Sequence, residues 1–426
     1  MTTLFKNGTV FTPRGFEKRD VFVSDGKVFV NSLSSLNIDR ADRIVDCTDK
    51  VIVPGFTDVH VHLREPGFFY KETIATGTAA AARGGYTCIC PMPNLNPVPS
   101  TMEALQVQLD IIKENAKVKV VPYGTITMEQ NGRSALADME ELAPHVCAFS
   151  DDGKGVQTGD LMESAMERAK KLNKLIVAHC EDESLLDGGY IHEGTYAEEH
   201  GHKGICSESE WKQVERDVKL SEKTGAGYHV CHISTKETVD IIRCAKEKGI
   251  DVTCETGPHY LVLSDADLQE DGRFKMNPPL RDAKDRDALI RGIQDGTIDM
   301  IATDHAPHSA EEKAKGLAGS AFGIVGLETS FPILYTHLVK KGIISLEKLI
   351  ELMSVNPRRR FGLAGGTIED GQPADLTVID LAEHHTIDPA EFASMGKATP
   401  FAGWEVDGRI TMTLVEGEIR YEETTA

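Results

Sequence analysis

The chain has 426 residues, of which 40% are hydrophobic and 27% charged, the balance of an ordinary water-soluble protein. That length suits one large domain plus a smaller one, and no apolar run approaches the ~20 residues of a membrane-spanning helix. A net charge of −21 excludes a general affinity for nucleic acid or anionic lipid.

The amino terminus has no apolar core behind basic residues, so secretion is not expected. Nine cysteines are scattered without a Cys-x-x-Cys pair, and an odd number cannot all pair internally. Several lie in strand-like runs such as Cys88-Ile-Cys90. They read as reduced thiols serving as small core residues in the cytoplasm.

In chain order, residues 3–53 read as short strands: Leu4-Phe5, Val21–Val23, Lys27–Val30 and Ile44–Asp46. Asn7-Gly8 and Asp25-Gly26 have turn composition. The pattern then changes. Apolar, β-branched runs at 57–62, 87–91, 119–125, 146–150, 175–179, 227–232, 251–255 and 298–303 alternate with helical stretches. The clearest of these helices are 71–83, 102–115, 159–172, 207–223 and 236–248. Eight strands alternating with helices predict a (β/α)₈ TIM-like barrel over residues 54–366. An open doubly wound sheet would want a Gly-x-Gly-x-x-Gly turn after its first strand, and none is present. The last sixty residues return to strands, at 375–380, 410–415 and 418–421, with Glu416-Gly417 as a hairpin turn. Residues 1–53 and 367–426 together predict a small β-sandwich domain built from both termini.

The polar residues fall at the carboxyl ends of the strands, where a barrel carries its chemistry. In Asp58-Val-His60-Val-His62, alternation along the strand puts both imidazoles on one face, a natural pair of ligands for one metal ion. Arg64 follows at the next position of that parity, and a guanidinium beside a metal suits a substrate carboxylate. Strand four ends in Asp151-Asp152, strand five in His179, strand six in His229 and His232, and strand eight in Asp304-His305. Neighbours on an extended chain point apart, so only one of each adjacent pair can reach a common ion. His232 is better placed than His229, and His259 suits a supporting position. His145, His192, His200, His202, His337, His384 and His385 read as solvated, and Arg358-Arg359-Arg360 as a solvated helix end.

Five motifs in order carry a resemblance. They are Asp58–Gly67, Pro91-Met-Pro-Asn94, Phe149-Ser-Asp-Asp152-Gly, Lys275-Met-Asn277-Pro-Pro-Leu-Arg281 and Ala302-Thr-Asp304-His-Ala-Pro-His308. From about Pro54 to the carboxyl end the chain resembles dihydroorotases of the long bacterial type, class I, in the amidohydrolase superfamily. The resemblance implies two zinc ions, one held by His60, His62 and Asp304 and the other by His179 and His232. Asp152 and a hydroxide would bridge them, since the lysine that many relatives use is replaced here. It implies Asp304 as the catalytic proton carrier, and His62, Arg64, Asn94, Asn277, His308, Phe322 and Gly323 as contacts of N-carbamoyl-L-aspartate or L-dihydroorotate. Residues 306–320 would form a mobile cover. A homodimer and an association with aspartate carbamoyltransferase are the protein partners it allows. Allantoinases and hydantoinases share the fold and metal site, but generally lack an arginine at the position of Arg64. A scaffold without activity would be expected to have lost metal ligands, and all are present.

Overall fold

The computed structural model describes residues 2–33, 38 and 41–423. At the amino end, β1 (Thr3–Thr12), β2 (Gly15–Ser24), β3 (Lys27–Phe29), β4 (Arg43–Asp46) and β5 (Lys50–Pro54) follow in succession. Asp25-Gly26 joins β2 to β3 with φ values of 50° and 72°, the left-handed pair that a tight hairpin requires. Asn7-Gly8 is no turn. β1 runs straight through it, and Lys6 and Asn7 together oppose Asp20 in a bulge. Asn7 keeps its positive φ of 64° because its N–H donates to Asp20 (2.9 Å) and its Nδ2 to Asp46 (3.0 Å), so the strand bends without reversing.

The middle of the chain contributes β6 (Phe56–Val61), β7 (Tyr86–Pro91), β8 (Lys119–Val120), β9 (Ile176–Ala178), β10 (Ile191–His192), β11 (Gly204–Ile205), β12 (Tyr228–Val230), β13 (Val252–Thr256) and β14 (Met300–Ile301). β6, β7 and β8 pair in parallel, as do β9, β12, β13 and β14. Single bridges link the two sets: Gly124 to Phe149 and Phe149 to Ile176 on one side, Val61 to His305 on the other. The runs expected as strands at 119–125 and 146–150 are therefore shorter than their composition suggests. Pro122 has no N–H for a ladder, and Cys147 instead donates to its carbonyl (2.9 Å).

Helices Ile74–Arg83, Met102–Asn115, Gly159–Lys171, Glu208–Thr224, Lys236–Glu247 and Ala283–Asp295 alternate with these strands. Their starts follow local chemistry. Thr73, Thr101, Thr235 and Asp282 each accept from a first-turn N–H. Their apolar faces join the strands in one large buried cluster. The result is a mixed α/β fold. Among the described residues no helix is long and apolar enough to cross a membrane.

At the carboxyl end, β15 (Leu376–Thr386), β16 (Glu405–Val415) and β17 (Glu418–Glu422) return to the first sheet. Its order is β17-β16-β15-β5-β1-β2-β3, with β4 also against β1. Glu416-Gly417 makes the hairpin between β16 and β17, at φ 51° and 81°. Phe5, Val23 and Ile52 from one terminus pack with Leu376, Val378 and Leu414 from the other in a separate core.

Two expectations about polar residues are corrected. Arg358 is 2% exposed rather than solvated. Its guanidinium donates to Thr87 Oγ1 (2.6 Å) and pairs with Asp375 (3.4 Å), tying helix Asn356–Phe361 to β7 and to the residue that enters β15. His192 is 8% exposed, because the excursion between β9 and β12 folds as β10, helix Thr195–His200 and β11, and sets it against Arg281.

Candidate metal centre

Asp58 organises the first corner. Its carboxylate accepts from the N–H of His60 (3.0 Å) and from the N–H and hydroxyl of Thr303 (3.1 and 2.6 Å). His62 N–H donates to the His305 carbonyl (2.8 Å). These bonds hold the end of β6 beside the chain that leaves β14, and so bring Asp304 against the two histidines. Asp304 Oδ1 lies 3.0 Å from His62 Nε2 and 3.5 Å from His60 Nε2.

Asp152 is central. Its oxygens lie 3.3 Å from His60 Nε2 and 3.5 Å from nitrogens of His62, His179 and His232. His179 Nδ1 and His232 Nε2 stand 2.9 Å apart. The donor atoms fall into groups that could each hold a metal ion: His60, His62 and Asp304, then Asp152, His179 and His232. Cys231 makes a third group with His60 and Asp152. His60 Nε2 and Asp152 Oδ1 are buried without a hydrogen-bond partner, which is costly unless a cation fills the space between them.

Electrostatics point the same way. Burial pushes the Asp304 carboxyl up, yet the neighbouring His60 and His62 outweigh it and hold it at about 2. Asp152 is held well below the usual carboxylate range, with burial again opposed by His60, His179 and His232. Ionised acids kept away from water need positive charge close by. Backbone strain collects here as well. Asp304, His232 and Arg64 have φ of 48°, 31° and 61°, and a non-glycine residue in that region costs on the order of 1–3 kcal/mol.

Each imidazole is fixed from behind. Glu255, at the end of β13, accepts from His60 Nδ1 (2.7 Å) and also meets His229 Nε2 (3.1 Å). His60 Nε2 is thereby left as a lone pair facing the two aspartates. His229 serves this support and stands outside the donor groups. Asn94 Oδ1 accepts from His62 Nδ1 (2.9 Å), doing for His62 what Glu255 does for His60. Asp151 points away, accepting from Thr127, Ile126 and Gly132.

A cavity of about 180 Å³ opens over these groups. Its walls include His62, Arg64, Asn94, Asp152, His179, His232, Asn277, Asp304, His308, Phe322 and Gly323, with His60 buried beneath. A larger cavity of about 700 Å³ beside Lys174 and Arg360 holds none of the clustered histidines.

A family model for dihydro-orotase-like proteins matches residues 49–238. Dihydroorotases of Bacillus cereus (strain AH820) and Bacillus anthracis (strain A0248) are each 51% identical over 429 aligned residues, covering 100% of both chains. The chain belongs to the dihydroorotase family. Its fold is also that of L-hydantoinase from Arthrobacter aurescens, with a TM-score of 0.87 and 27% identity over 99% of this chain and 96% of that one. Dihydropyrimidinase from Brevibacillus agri NCHU1002 gives 0.86 and 25%, covering 98% and 95%.

In this dihydroorotase-family chain the cavity and the donor groups beneath it gather His60, His62, Arg64, Asn94, Asp152, His179, His232, Asn277, Asp304, His308, Phe322 and Gly323, but not Asp151 or Arg281. Arg64 is buried and lines the cavity, with Nε donating to the Pro307 carbonyl (3.2 Å) and Nη2 lying 3.2 Å from His308 Nε2. His308 Nδ1 accepts from Lys71 (3.3 Å), so its Nε2–H donates to the Phe322 carbonyl (2.7 Å). Burial and the charges of Arg64 and Lys71 hold that imidazole neutral, at about 3. Residues 306–320 carry two helical turns, Ala310–Lys313 and Gly316–Gly319. Lys313 pins them, donating to the carbonyls of Lys275, Ala321 and Gly323 (3.0, 2.7 and 2.6 Å).

Glu255, Lys71, Lys313 and Glu181 were missed from sequence. Glu255 alone had a signal, an acid closing the seventh strand as His and Asp close the others.

Proposed function

We propose that the chain is a zinc-dependent dihydroorotase, which interconverts N-carbamoyl-L-aspartate and L-dihydroorotate plus water in de novo pyrimidine (UMP) biosynthesis. The observation that carries this reading is the convergence of His60, His62, Asp152, His179, His232 and Asp304 under a cavity edged by Arg64. The circuit of parallel pairings supports a (β/α)₈ barrel over residues 54–366. The shared core of both termini supports a small β-sandwich domain of 1–53 and 367–426.

Nitrogen and carboxylate donors with unpartnered buried atoms suit zinc. His60, His62 and Asp304 would hold one ion, His179 and His232 a second, and Asp152 would lie between them. When bound, zinc makes water acidic enough to act near neutral pH and polarises a carbonyl oxygen. Asp304 takes the proton of the attacking water at its carboxylate and delivers it to the departing ring nitrogen. In the cyclising direction the same carboxylate removes the proton from the carbamoyl nitrogen. Arg64 grips the ring's carboxylate with parallel N–H bonds, and the neutral His308 helps to line that corner. Asn277 and the backbone of Phe322 and Gly323 read the ring edge. Free thiols, seven of the nine buried, support a reducing, cytoplasmic setting.

The fold match to hydantoinases favours a second reading, a hydrolase of rings without a carboxylate. Arg64 argues against it, since such a ring would bring no carboxylate to the guanidinium at the cavity wall. Purified protein assayed with dihydroorotate, dihydrouracil and allantoin separates the two. The expected result is a kcat/KM for dihydroorotate at least about a hundredfold above the others. Preference for dihydrouracil or allantoin would overturn the assignment.

A further inference from the structure

Glu181 lies two residues beyond His179, and its backbone is clamped on both sides. Its N–H donates to Gln213 Oε1 (2.8 Å), and its carbonyl accepts from Gln157 Nε2 (3.0 Å) and Gln213 Nε2 (3.2 Å). The carboxylate thus held accepts from Asn277 Nδ2 at 2.8 Å. A carboxylate can only accept, so the Asn277 amide must turn its NH₂ toward Glu181. Asn277 lines the cavity, and its Oδ1 has no hydrogen-bond partner among the described residues. The same carboxylate's other oxygen lies 3.6 Å from His179 Nε2, beyond hydrogen-bonding range.

We propose that Glu181 is a positioning residue that fixes the polarity of Asn277, so that this wall presents an acceptor and selects rings carrying an N–H on the facing edge. The inference rests on the dihydroorotase reading, because it specifies how that site tells an imide or ureide edge from one without a donor. Without Glu181 the amide could rotate by half a turn at little cost and offer NH₂ instead. A polar group built to pair with a substrate N–H rejects analogues that lack it far more strongly than apolar contact does.

A charge-exchange pair tests this. Asn277→Asp alone sets two carboxylates against each other and should lower kcat/KM for dihydroorotate by about a hundredfold. Adding Glu181→Gln supplies a donor to position 277 while leaving an oxygen toward the cavity, so N277D/E181Q should recover to within about tenfold of the parent. Glu181→Gln alone should raise KM about tenfold with kcat little changed, since it frees the amide without touching the proton carrier. Bound metal and melting temperature, measured on every variant, separate this effect from loss of His179 or of the fold. A double variant no better than Asn277→Asp, with metal and fold intact, would overturn the role of Glu181. The parent's own turnover is the control: no activity on dihydroorotate would overturn the functional reading and this inference together.

Discussion

At the scale of single residues, His60 and Asp304 divide their work through their neighbours. Glu255 accepts a hydrogen bond from the Nδ1–H of His60 and so commits its Nε2 to the space shared by Asp152 and Asp304. Asp304 is kept ionised at about 2 against its burial, in a strained backbone pose that points it at His62. A carboxylate so placed can carry a proton, and an amide there cannot. Asp304→Asn should therefore lower kcat by about a thousandfold with metal content unchanged, since five other side chains would still supply donors. Turnover within about tenfold of the parent would remove Asp304 as the proton carrier. His60 and His62 were legible in the sequence because period-two alternation fixes where such side chains point, whereas Asp304, beside His305, was singled out by the family resemblance. Glu181 and Lys313 were not, since their partners, Asn277 and Lys275, come from distant segments that only the folded chain brings near.

At the scale of elements, helix Met102–Asn115 has the bounds its pattern predicts, because a Thr101 cap starts it and its register is local. The excursion at 191–205 was not legible. Its two-residue strands have no period to read, and their pairing depends on the loop between them. In residues 306–320, read from composition as a mobile cover, Lys313 donates to three carbonyls that flank Asn277 and Phe322. Lys313→Met takes the donor from the Ala321 and Gly323 carbonyls, while the Lys275 carbonyl keeps the Gly323 N–H (3.0 Å). It should speed amide exchange across 310–323 and raise KM for dihydroorotate by about tenfold, with kcat reduced less. Unchanged exchange in that segment would show that the anchor is dispensable.

At the scale of the whole molecule, Arg358 ties Thr87 of β7 to Asp375 at the entry to β15, and its burial the run of three arginines did not reveal. Depth depends on what the helix end packs against, which composition alone does not carry. Acid stability is also set by depth. Burial, then the charge of Arg281, hold His192 at about 4 against an ordinary 6.5. Between those values the unfolded chain binds a proton that the folded chain does not, so stability falls as pH drops through that window. The contribution amounts to at most about 3 kcal/mol. His192→Leu should lose less melting temperature than the parent between pH 7 and pH 4.5, and equal losses would contradict a buried neutral imidazole.

Two metal ions held by one cluster and used on dihydroorotate are the core of the proposed function. Turnover of that substrate, followed as zinc is added back to chelator-stripped protein, tests it most directly. Activity should be absent at first, rise with added zinc and level off at about two equivalents per chain. Full activity in the stripped protein, or a plateau at one equivalent, would contradict it.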